Sequence, residues 1–281
     1  MAARPQAALV ILALVIGVCS VAGSESVVRV ALLAPFEGRY REIGYNALYA
    51  ARLAVSEANS DVQLLAIDDG GGVQTAVTRS RALAHDPSVR AVLTLGIHAS
   101  DTRVQEAFGD LPVIIVGYWS THPVSDTIFM LANPELDRII TLSSEAGLTG
   151  MMEFDELSIG GELFALAQVP KLYSVPEVFR IVSSGSLPGT AFRESYVNSD
   201  PFAPEPGLLA SLTYDATRMA LLVAQGSSVS RNEVQRALAD MRYEGLNGKI
   251  NFEDRYWVDA PIRYYQFNSA GQLIPGDNIK E

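Results

Sequence analysis

Cysteine is almost missing from this chain: Cys19 is the single one in 281 residues, and it falls within the first 23. If that leading segment is removed, no thiol remains, so disulfides, a thiol nucleophile and cysteine-based metal sites are excluded. Histidine is also scarce. His85, His98 and His122 lie far apart, and none has a partner at a metal-type spacing. Basic charge is short as well, at 21 Lys and Arg against 32 Asp and Glu, a formal net charge of −11 with no Lys/Arg cluster. Such a chain repels nucleic acid and anionic lipid, so neither is an expected partner. The G-x-S-x-G, G-x-x-x-x-G-K-[ST], H-E-x-x-H and G-x-G-x-x-G patterns are all absent. The Asp68-Asp69-Gly70-Gly71-Gly72 run suits a tight turn after a strand, and Glu153, Asp155 and Glu156 read as a solvated acidic loop. No grouping specifies an enzyme, and none calls for a cofactor.

What is present is ample apolar material. Hydrophobic residues make up 48% of the chain, enough for one large or two medium α/β domains. Residues 1–23 stand apart, with Arg4 as their only charge, an apolar run over 7–18, and small residues at Ser20, Ala22 and Gly23. This is the pattern of a secretory signal peptide cleaved near Gly23, giving an exported protein in the periplasm or on the outer side of the cytoplasmic membrane. A retained membrane anchor is the rival reading, although the run is shorter than the roughly 20 residues a spanning helix needs. Val18 stands where a lipoprotein signal carries a small residue, so lipidation at Cys19 is not expected.

From Val27 the chain alternates. Residues 27–34 read as a buried strand, 44–59 as a helix, 62–67 as a strand, 75–84 as a helix, 91–95 as a strand, 100–108 as a helix and 113–116 as a strand. Short β-α-β connections of this kind predict a doubly wound parallel sheet. Ligands on such sheets sit beyond the carboxyl ends of the strands, which singles out loops 35–40, 96–100 and 117–121. Further on, helices are expected at 139–146, 161–167, 190–197, 208–225 and 231–241. Strands are expected at 151–154 and 177–183, with two or three more over 248–274.

The order of segments then carries a resemblance. VRVALLAPFEGRYREIG, LLAIDD, AVLTLG and LPVIIVG, followed by EAGLTG, EVFRIVSSGSLPGTAFRESYV, LTYDATRMALLVAQ and GLNGKINFED, resemble the leucine/isoleucine/valine-binding family of type I periplasmic binding proteins. TYDA before a long helix and G-x-x-G-K-I-x-F-[DE] near the end are the more specific marks, taken together. The resemblance implies a two-lobed α/β fold: a first lobe from 27–123 with 208–252, and a shortened second lobe from 124–207 with 253–281. Two βα units that the family carries before its EAGLTG-like segment have no counterpart here.

The resemblance further implies a non-enzymatic component of an ABC importer that closes on an amino acid or small carboxylate and hands it to the importer's membrane subunits. The family's pattern falls on Tyr40, Ala99, Ser100, Gly117, Tyr118, Trp119 and Glu177. Ser100, at a helix start, is the expected carboxylate binder; Tyr118 and Trp119 would stack on the solute, and Glu177 would meet its ammonium group. Each has a plainer reading beside it: Ser100 as a helix N-cap, the two aromatics as cover for the lobe interface, Glu177 as a solvated strand start. The alternative function is a sensor, scaffold or degenerate paralogue that contacts a protein and encloses no solute.

Overall fold

A computed structural model describes residues 27–140, 159–166, 179–226 and 228–277. The expected strand at 151–154, the acidic residues Glu153, Asp155 and Glu156, and Glu177 lie outside these residues, as does most of the expected helix at 139–146.

The N-terminal half follows its hydrophobic pattern. Strands β1 (Arg29–Ala34), β2 (Gln63–Asp68), β3 (Val89–Thr94), β4 (Val113–Val116) and β5 (Ile128–Leu131) are parallel neighbours in the order β2-β1-β3-β4-β5. β3, β4 and β5 are apolar and almost wholly buried, as strands covered on both faces must be. The helices between them are α1 (Arg41–Glu57), α2 (Val73–His85) and α3 (Thr102–Ala107), followed by a short α4 (Leu136–Ile139) after β5.

The C-terminal half adds α5 (Thr190–Ser199), α6 (Leu208–Ala224) and α7 (Arg231–Ala239). Strands β8 (Arg242–Gly245), β9 (Gly248–Glu253) and β10 (Tyr256–Trp257) complete an eight-stranded sheet, β10 lying parallel to β5 through Tyr256 and Met130. α6 lies beside α1 and against β1, β3 and β4. A second sheet has the order β12-β11-β7-β6, from β6 (Ile159–Gly160), β7 (Arg180–Ser183), β11 (Arg263–Phe267) and β12 (Leu273–Pro275). Its core is Phe164, Phe179, Ile181 and Tyr265, with Leu208 of α6 closing it.

The two sheets are thus a large one, parallel from β2 through β10 and antiparallel at β9 and β8, and a smaller mixed one. β5 and β10 fall in the stretches expected to form the second lobe, yet both belong to the large sheet. Residues 161–167 do not form the expected helix among the described residues, only a 3₁₀ turn at Glu162–Phe164.

One carboxylate explains two sequence marks at once. Asp215 of the TYDA segment is fully buried in α6, where it accepts hydrogen bonds from Leu246 N (3.0 Å), Asn247 N (2.9 Å) and Asn247 Nδ2 (2.7 Å). These groups form the turn between β8 and β9. A Cβ at Gly245 would lie 2.3 Å from Asp215 Oδ1, so the glycine is needed for the approach. The crossings between the sheets are joined in a similar way. Asn133, after β5, donates from its backbone N to Ser184 Oγ (2.9 Å) and from Nδ2 to Ala260 O (2.5 Å), and Arg263 donates to Ser184 O.

Candidate functional site

The chain runs from β1 out to β2, then returns across β1 to β3, so the winding reverses between β1 and β3. The crevice beyond the carboxyl ends of these strands is the expected ligand position. Loop 35–40 is held over it by Phe36 N, which donates to Asp68 Oδ1 (2.6 Å), and by the close approach of α1. A Cβ at Gly44 would lie 2.0 Å from Pro35 O, so only glycine lets the helix start there. Tyr40 ends this loop half-buried, its ring edge-on to His98 with centroids 6.4 Å apart and the Arg39 guanidinium over its other side.

Loop 96–100 brings Ala99 and Ser100 to full burial. Ser100 is not the helix cap: Asp101 caps α3 by accepting from Arg103 N (2.9 Å). Asp was overlooked as the cap because Ser100 comes first and both residue types cap well. The Ser100 hydroxyl is therefore buried with no hydrogen-bond partner among the described residues. His98 Nδ1, Thr94 Oγ1 and Asp69 Oδ2 share that condition. Burial raises the Asp69 carboxyl above its ordinary range, opposed by the Gly71 N–H and by His98. Gln105 fixes the crevice from below, donating to both Ser100 O and Thr121 Oγ1 at 2.9 Å.

Loop 117–121 turns at Gly117 (φ +83°). Tyr118 and Trp119 are 3% and 5% exposed, so neither offers an open face for stacking. Trp119 folds back beneath its own strand, with Nε1 donating to Val116 O (2.8 Å). The Tyr118 hydroxyl donates to Asp137 Oδ1, and burial with that carboxylate pushes the phenol far above its ordinary range.

The sequence reading missed Glu162. This residue, between β6 and β7, is 0% exposed and joins the two sheets. Its Oε2 accepts from Tyr118 N (3.2 Å) and its Oε1 from Ser183 Oγ (2.9 Å). Burial pushes its carboxyl up to about 7, partly opposed by those same donors. The only local signal was one acid in the apolar stretch SIGGELFAL, which says nothing about a partner 44 residues away.

Between loops 97–120 and the 161–164 turn lies a cavity of about 20 Å³, lined by Ile97, Tyr118, Trp119, Ile140, Gly161 and Phe164, enough for about one water. A larger cavity of about 380 Å³ lies between the first turns of α1 and α6 and the β11–β12 hairpin, reached by Glu42, Asn46, Arg193, Leu208, Phe267 and Ile274. Among the described residues no group of three or more His, Cys, Asp or Glu could hold a metal ion, and no helix is long and apolar enough to cross a membrane.

No family model and no curated protein matches the chain. Solved structures do match its fold. A putative branched-chain amino acid ABC transporter from Rhodospirillum rubrum aligns over 89% of this chain and 100% of its own, with a TM-score of 0.62 at 17% identity. The substrate-binding protein LivJ from Streptococcus pneumoniae, in complex with isoleucine, aligns over 89% and 100%, with 0.63 at 15%. An ABC transporter solute-binding protein from R. palustris, in complex with benzoate, aligns over 89% and 95%, with 0.61 at 12%.

Proposed function

We propose that this chain is the exported solute-binding component of an ABC importer, closing its two lobes on an amino acid or similar small carboxylate for the importer's membrane subunits. It acts by binding, without catalysis, metal or cofactor. The first lobe is built on the eight-stranded sheet and the second on the four-stranded one. The observation that carries the reading is the set of buried, unpartnered polar atoms at the switch point: Ser100 Oγ, His98 Nδ1 and Asp69 Oδ2. A buried polar group without a partner costs about 1–3 kcal/mol, and a solute that pairs with it recovers this. In this reading Ser100 and His98 receive a carboxylate and Asp69 an ammonium group. The isoleucine and benzoate of the two similar structures are in keeping with that chemistry. Closure by hinge motion is what this fold permits.

The test is a thermal-shift screen of residues 24–281 against amino acids, small carboxylates and sugars. A solute at 100 times its dissociation constant adds about 2.7 kcal/mol of stability. A rise with amino acids that disappears in Ser100→Ala supports the reading; a folded protein that responds to none of them overturns it. A second reading, a scaffold that contacts a protein partner, is favoured by the cavity of only about 20 Å³ where the lobes meet. An unresponsive but well-folded protein is what it expects.

A further inference from the structure

We infer that Glu162 is a built-in substitute for a ligand carboxylate: it fills the position beyond the end of β4, where Tyr118 N and Ser183 Oγ donate to it, and holds the two sheets together. The inference rests on the reading of the sheet-top loops as the ligand face. It assigns the Tyr118 half of that face to the protein's own acid and leaves the buried, unpartnered Ser100 Oγ and His98 Nδ1 as the half for a solute.

Three observations converge on this position. The first is the donor pair: Tyr118 N from the large sheet and Ser183 Oγ from the small one each donate to a different carboxylate oxygen. Ser183 is itself held by Gly185 N, which donates to its Oγ (2.8 Å). The second is the room made for the group. Gly117 has φ +83°, and a Cβ there would sit in contact with Glu162 Cδ at 3.4 Å, so the loop packs directly against the carboxyl. The third is the remaining volume: the cavity beside it holds about 20 Å³, so a free carboxylate cannot share the position.

Among the described residues no basic side chain enters the balance. Burial raises the Glu162 carboxyl, and the groups opposing this are its own backbone N–H, the Ser183 hydroxyl and the Tyr118 N–H. The titratable side chains facing it are Tyr118 itself and Tyr265 of β11, with Asp137 of α4 one hydrogen bond further away through the Tyr118 hydroxyl. His122 reaches that outer carboxylate at 3.9 Å and hydrogen-bonds the Tyr256 hydroxyl at 2.9 Å. A buried carboxyl without a counter-cation is most stable as the neutral acid, so the clasp tightens as the solution becomes more acidic.

The experiment is chemical rescue. Glu162→Ala removes the atoms of an acetate and leaves both donors in place. Its melting temperature is measured in rising sodium acetate, against sodium chloride at equal ionic strength, at pH 6 and pH 8. We expect a saturable rise in acetate only, larger at pH 6 because the bound group takes up a proton. Wild type and Glu162→Gln, in which the position is filled, do not respond. If the alanine variant is unfolded in chloride, the same titration is read as regained far-ultraviolet circular dichroism. An alanine variant that shows no difference between acetate and chloride overturns the inference, as does an equal response from the wild type. The outcome is independent of the amino acid screen: a wild type that binds no amino acid still leaves acetate rescue to be seen or not.

Discussion

Glu162 makes the stability of this protein depend on pH in a direction opposite to that of most paired carboxylates. Its ordinary value of 4.5 applies to the unfolded chain, while burial raises the folded value to about 7. Between those limits the folded protein keeps a proton that the unfolded chain has lost, so stability falls as pH rises. The contribution is fully present below pH 4.5 and is gone once pH has passed about 7. The gap corresponds to about 3 kcal/mol. Part of the gap is already lost at pH 5, leaving about 2.5 kcal/mol; at about 2–4 °C per kcal/mol the wild type should melt about 5–10 °C higher near pH 5 than near pH 8. Asp69 and Asp215 are also raised by burial and act in the same sense, so the comparison with Glu162→Gln isolates one group. That variant, neutral at every pH, should lose most of the slope. Thermal unfolding of both proteins at half-unit steps from pH 5 to 8 is the assay. Parallel profiles for the two would refute the reasoning, because the carboxyl would then have no proton to lose across this window.

Three further predictions concern the frame of the site. Asp215→Ala leaves the Leu246 and Asn247 N–H groups buried without an acceptor, and should cost about 3 kcal/mol, read from the urea midpoint. Ser100→Ala removes a buried hydroxyl that has no partner among the described residues, so stability without solute should rise by about 1 kcal/mol. Asp101→Ala, in contrast, removes the true cap of α3 and should cost about 1 kcal/mol. Equal losses in the two variants would return the capping role to Ser100.

The alternation of β1 to β4 with its helices was legible because each strand is apolar on both faces and each helix has a clear 3.6-residue stripe. Ile128–Leu131 was not read as a strand: four apolar residues between Asp126-Thr127 and Asn133-Pro134 carry no periodicity of their own, and parallel pairing with β4 decides their state. β10, with two residues, is even less visible, and its place in the large sheet depends on a strand more than 120 residues earlier. Helix starts were less certain than helix existence. α1 begins at Arg41 because Gly44 packs on Pro35 O, a contact no local pattern announces. TYDA and G-x-x-G-K-I were recognisable as a pair for a reason the sequence conceals, since Asp215 of one binds the turn of the other. Glu162 was illegible for the same reason in reverse: its partners come from β4 and β7, and nothing beside it names them.

The tied crossings at Asn133, Ser184, Ala260 and Arg263 bear on how the protein comes into being. The large sheet takes strands from both sides of the first two crossings and the small sheet from both sides of the last two, so neither is finished until the last quarter of the chain has emerged from the ribosome. The early strands β1 to β5 must wait with a raw margin along β5 until β10 reaches it. Long waits with an unpaired strand margin invite association between copies. A protein built this way should therefore depend on being kept apart from its neighbours during synthesis and export, and severing it at any one crossing should yield two fragments that fold only when mixed.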